Sequence, residues 1–219
     1  MRTLFTAEMS LLADDLVEMA GHVKLAIHRA NEAMTTKDLN LAQSVIADDA
    51  KLDALEHRVD ERCVLLIAQQ QPVGLDLRTL VTSLRISAGL ERMGDLAQHV
   101  AEAARRTYPE SPIPASHREI FAQMAQAANH ASELIVDLIR DRDLNVAAQI
   151  VSDDDTLDEL HEKAYAQLLA KGYKGDTQET LNVALLARFY ERFGDHAVNV
   201  SRRVVYLVTG DLGLGHASI

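Results

Sequence analysis

Apolar residues recur at i, i+3, i+4 and i+7 over spans of about thirty residues, the spacing that lays one apolar stripe along a helix and leaves the other faces polar. In the first half this pattern predicts helices from about Thr3 to Met34, Asp38 to Gln70 and Leu75 to Arg106, with Asp38 placed to cap the second. The pattern lapses in TYPESPIPAS, residues 107–116, which holds three of the four prolines and reads as a linker. Helices resume at about His117, Asp143 and Asp176, with Gly172 and Gly175 punctuating the last turn. Residues 209–219 read as a flexible tail. Short connections make neighbouring helices antiparallel. The expected fold is all-α, with six long helices in two tandem antiparallel three-helix bundles, residues 1–106 and 117–208.

The two halves repeat each other. DLNLAQSVIADDAKLDAL, from Asp38, returns 105 positions later as DLNVAAQIVSDDDTLDEL, with nine of eighteen residues identical. ERMGDLAQHV, from Glu91, returns 100 positions later as ERFGDHAVNV, with six of ten identical. Blocks repeated at two offsets imply duplication of a whole unit. The five-residue difference predicts a shorter second hairpin, the loss shared between its loop and the adjoining helix ends.

Composition narrows the function. Hydrophobic residues make up 47% but aromatic residues only 4%, which suits a core of stacked aliphatic helices. A formal charge of -11 disfavours nucleic acid and anionic lipid as partners. The single cysteine, Cys63, reads as a buried, inert thiol. No apolar run is long enough to span a membrane and no leader segment opens the chain, so a cytoplasmic protein is expected.

The repeated blocks carry carboxylates four residues apart: Asp49 with Asp53, Glu91 with Asp95, Asp154 with Asp158, and Glu191 with Asp195. Like charges at that spacing cost a helix roughly 0.2–0.5 kcal/mol per pair. Four such pairs therefore suggest a cationic counterpart, either arginine or metal. An antiparallel hairpin could bring the two pairs of each copy face to face, a four-carboxylate patch suited to hard cations or to iron. Glu56 and His161, each seven residues beyond the first Asp of its stripe, could add a ligand. A solvated acidic face is the alternative. Gly94 and Gly194, beside Asp95 and Asp195, speak against it, since a mid-helix glycine costs about 1 kcal/mol relative to alanine.

Arg78, Arg85 and Arg92 recur every seven residues and give a weak indication of a partner surface, simple ion pairing being the alternative. No glycine-rich phosphate loop, nucleophile triad or repeated zinc-ligand spacing is present in the sequence. His99, four residues beyond Asp95, reads as a helix-surface histidine near the acidic stripe.

The segment QQPVGLDLRTLVTSLRISAGLERMGDLA, from Gln70 to Ala97, resembles the signature of the PhoU family of phosphate-signalling proteins, and the ERFGD block at Glu191 resembles its second copy. The likeness spans essentially the whole chain. It implies paired three-helix bundles with metal bound at E(D)-x-x-x-D motifs, here the eight carboxylates above, the metal being divalent or trivalent (Fe, Zn, Mn or Mg). It further implies a homodimer without catalytic turnover. Such a protein works with the ATPase subunit of a phosphate ABC transporter and with a sensor histidine kinase, holding the phosphate-starvation regulon off when phosphate is plentiful. Phe193, His196 and His161 depart from the family pattern, so the second site is expected to differ in metal preference. A carboxylate-bridged metalloenzyme, a phosphotransfer module and a metal-free helical adaptor are the competing functions.

Overall fold

Three aspartates start helices, as their short acceptor side chains favour. Asp38 accepts from the Leu41 amide at 3.0 Å, Asp143 from Asn145 at 2.8 Å, and Asp176 from Glu179 at 2.8 Å within a reciprocal capping box. The computed structural model describes residues 2–211. Its helices are α1 (Arg2–Thr36), α2 (Leu39–Gln70), α3 (Gly74–Thr107), α4 (Arg118–Asp141), α5 (Leu144–Leu168) and α6 (Thr177–Thr209). One 3₁₀ turn, Ala115–His117, leads into α4. Residues 212–219 of the expected tail lie outside the described residues, whereas Thr209 ends α6 and Gly210 caps it in the left-handed conformation.

α1 to α3 form one bundle and α4 to α6 the other, and the bundles join through α3 against α6 and α1 against α4. α3 and α6 run antiparallel along the junction. Arg78 sits over the Tyr206 ring at one end, His99 stacks on Phe189 at 5.1 Å, and Arg106 reaches Asn182 at 3.4 Å at the other end. Apolar stripes from all six helices merge into one core that includes Met19, Val59, Leu90, Phe121, Ala164 and Phe193. Burying each large apolar side chain contributes roughly 1.5–3 kcal/mol. Burial also pushes the Cys63 thiol up to about 12, as fits an unreactive core cysteine.

The second hairpin corrects one expectation. Its shortening falls entirely on the helices: α5 has 25 residues against 32 in α2, while residues 169–176 replace the tight turn at residues 71–73. The longer loop contains Gly172 at φ +134°, a conformation that excludes most side chains. Among the described residues, no helix is long and apolar enough to cross a membrane.

Candidate functional site

The acidic pairs of α2 and α3 converge where Gly94 lets the helices approach. A Cβ at Gly94 would run into the Leu52 side chain and stand 3.6 Å from Asp49 Oδ1. Burial, followed by the charges of Asp53 and Asp95, pushes Asp49 up to about 6. Burial and Asp95 push Glu91 up to about 7, against the pull of Arg92. Glu56 is also raised, by burial and then by Asp60. The charges of Asp53 and Asp95 bear on Glu56 as well, which places it beside both stripes.

The second copy repeats the arrangement. Burial, then Asp158 and Asp195, raises Asp154 to about 6, and burial raises Glu191 against the pull of Arg188. Gly194 is the counterpart of Gly94, and a Cβ there would run into the Asp154 carboxylate. His161 stands where Glu56 stands in the first copy, but with the opposite effect: Glu56 raises Glu91, whereas His161 pulls Glu191 down. Three buried polar atoms of this patch have no hydrogen-bond partner: Asp154 Oδ1, His161 Nε2 and Glu191 Oε2.

Arginines meet part of the repulsion. Arg92 contacts Asp95 at 2.7 Å and Glu91 at 3.3 Å, and Arg188 pairs with Glu191. The i,i+3 spacing of Arg188 and Glu191 was a readable signal for the second of these. The side chains line the helix faces without closing on a point: among the described residues, no group of three His, Cys, Asp or Glu forms a ready cage for an ion. Even so, the donors fit a hard cation. They are mainly carboxylate oxygens of half-buried side chains whose pKa values burial raises, and the second patch adds an unpartnered imidazole nitrogen.

The predicted arginine stripe divides among different surroundings. Arg78 lies against Tyr206 and Gly210 at the end of α6, Arg85 is exposed, and Arg92 belongs to the first acidic patch. Phe193 is a core residue, 1% exposed. His196 sits at the α3–α6 junction, where burial and then Arg192 lower its pKa. Sequence reasoning did not identify Arg29 and Lys51, which hold Asp48 at 3.4 and 2.6 Å.

The chain matches the PhoU domain twice, over residues 16–104 and 121–204. It is 39% identical, over 96% of its length and 99% of the relative, to the phosphate-specific transport system accessory protein PhoU homolog 2 of Mycobacterium tuberculosis. It is 31% identical to the PhoU homolog of Rhizobium meliloti, over 94% of its length and 87% of the relative. The crystal structure of PhoU from Pseudomonas aeruginosa superposes with a TM-score of 0.83 at 28% identity, covering 94% of this chain and 100% of that one. The PhoU structure from Streptococcus pneumoniae has the same fold, with a TM-score of 0.85 at 22% identity over 95% and 98% of the two chains. With both copies matched and the likeness running nearly end to end, the chain belongs to the PhoU family.

Proposed function

We propose that this protein is a cytoplasmic accessory regulator of phosphate uptake that couples a phosphate ABC transporter to a sensor histidine kinase and keeps the phosphate-starvation response off when phosphate is plentiful. The observation that carries this reading is the nearly full-length identity, 39% over 210 residues, to a protein named as a phosphate-specific transport system accessory protein. The role requires no turnover. Family resemblance is also the support for a homodimer.

Metal binding is a second part of the proposal, supported by the two acidic patches. Asp49, Asp53, Glu91 and Asp95 would hold a cation in the first copy, and Asp154, Asp158, Glu191 and Asp195 in the second, with Glu56 and His161 as further donors. A bound cation supplies charge neutralisation where the carboxylates crowd. The raised carboxyls would give up protons on loading, and Arg92 and Arg188 would yield the carboxylates they now pair with. Those same arginines favour the metal-free adaptor as the second reading.

Tagged protein recovered from phosphate-replete cells should bring down the transporter ATPase or the sensor kinase, and deleting its gene should switch on phosphate-starvation genes in high phosphate. Recovery of neither partner together with an unchanged response would refute the regulatory reading. Elemental analysis of the purified protein separates metal-bound from metal-free, with no metal above background deciding for the adaptor.

A further inference from the structure

The duplicated unit contains a groove between its first and second helices, and the two copies treat it differently. In the first copy His22, Ala26 and Arg29 of α1 face Asp48, Asp49 and Leu52 of α2, with Gly94 beneath. In the second copy Gln123, Ala127 and His130 of α4 face Asp153, Asp154 and Leu157 of α5, with Gly194 beneath. These are equivalent positions. The α2 and α5 residues stand 105 apart, as in the repeat, and the Arg29–Asp48 and His130–Asp153 pairs both bridge first helix to second.

In the first copy Arg29 closes the groove, and the Asp48 carboxylate is already paired. Arg29 Nη1 spans it to Asp48 Oδ2 at 3.4 Å, Lys51 holds the same carboxylate at 2.6 Å, and the space left is about 20 Å³. In the second copy both cations are gone. His130, a shorter side chain, stands in place of Arg29, and Thr156 in place of Lys51, leaving an open groove of about 420 Å³. His130 Nε2 comes within 3.4 Å of Asp153 but makes no hydrogen bond to it, and the buried oxygens Asp153 Oδ2 and Asp154 Oδ1 lack hydrogen-bond partners. Gln123, Gln126 and Gln149 add amide groups at the rim, while Leu134, Ile150 and Ala197 give apolar walls for an alkyl stem.

We propose that the α4–α5 groove binds a guanidinium group in the place that Arg29 fills in the first copy, supplied by an arginine of a partner protein or by a free guanidinium compound. A planar fork of donors matches the two oxygens of a single carboxylate, here Asp153, better than an ammonium does, and the burial of Asp153 Oδ2 strengthens the charge-assisted bond. The site depends on Asp153 and on the open space, so it stands whether or not Asp154 also serves a metal.

The test is calorimetric titration of the full chain in EDTA with Nα-acetyl-arginine amide and with a tripeptide bearing a central arginine. The expected result is saturable binding at one site per chain that weakens at least about tenfold in the His130→Arg, Thr156→Lys variant, which restores the first copy's own cations. Both substitutions lie at exposed positions, so the variant retains its core. Tighter binding of the tripeptide assigns the site to a partner's arginine, and equal or tighter binding of the amide assigns it to a free compound. Undiminished binding by the variant, or no saturable binding of either probe up to about 10 mM, overturns the proposal.

Discussion

Tyr190 of α6 donates its hydroxyl to Asn31 Oδ1 of α1 at 2.5 Å, wholly inside the protein and across the boundary between the two bundles. Asn31 Nδ2 in turn donates to Asn129 Oδ1 at 2.8 Å and to the Ala125 carbonyl at 3.3 Å, both on α4. One amide thus ties α1 to α4 and α6. Tyr190→Phe keeps the ring and strands a buried acceptor, a loss of about 1–3 kcal/mol. Urea unfolding should show that loss as an earlier midpoint in a single transition, because the core is continuous through both bundles. A neutral Tyr190→Phe would mean that Asn31 finds another donor.

The two mid-helix glycines should respond unequally to alanine. At Gly94 the added Cβ meets a single side chain, the end of Leu52, and the gain in helix propensity of about 1 kcal/mol offsets part of the clash. At Gly194 the Cβ meets the Asp154 carboxylate and, at 2.8 Å, Leu157. Overpacking of that kind costs roughly 1–3 kcal/mol. Thermal unfolding should therefore rank Gly194→Ala below Gly94→Ala, and equal melting temperatures would contradict the difference in packing.

Asp49 sets a direction for pH dependence. Its carboxyl is held up to about 6 in the fold by burial and by Asp53 and Asp95, against an ordinary value of 3.8. The folded state therefore binds this proton more tightly than the unfolded chain does, and its ionisation erodes stability as pH rises from about 4 to about 6. Asp154 acts in the same sense over the same window, and Glu91 from its ordinary 4.5 to about 7. Asp48, lowered by Lys51, acts oppositely and only at more acid pH. In EDTA, Asp49→Asn should be more stable than the parent at pH 7 and should lose less stability between pH 4.5 and 7, as read from urea midpoints. An unchanged pH slope would show that Asp49 is not crowded in solution.

Periodicity made the helices legible, and the repeated blocks pointed to the acidic pairs, because both are properties of single helices spaced by turns. Asp38, Asp143 and Asp176 mark helix starts for the same local reason. The Asn31–Tyr190 bond joins residues 159 apart, and nothing in either neighbourhood announces it. The open α4–α5 groove was hidden for a different reason. It arises where His130 stands in place of Arg29, in first helices that match too weakly between the copies for the repeat to reveal the pair. The length of the 169–176 loop was hidden too, since the repeat offset reports only the sum of helix loss and loop gain.

Metal loading should separate the two acidic patches. The first has the carboxylate of Glu56 where the second has an imidazole, with Arg92 already on Asp95 and Glu91. The second adds His161, whose Nε2 is buried without a hydrogen-bond partner, as are Asp154 Oδ1 and Glu191 Oε2. Imidazole favours borderline metals such as zinc and iron(II) over magnesium or calcium. Zinc titration of metal-stripped protein should therefore show a tighter phase that weakens about 10-fold or more in His161→Gln, a loss that mutating even an outer-shell partner of a ligand reaches. Magnesium binding should be insensitive to that change. Replacing Asp49, Asp53, Glu91 and Asp95 by alanine should remove only the weaker phase. Loss of the tight zinc phase in that first-copy variant, with His161→Gln unaffected, would assign the sites the other way round and take away the role given to the imidazole.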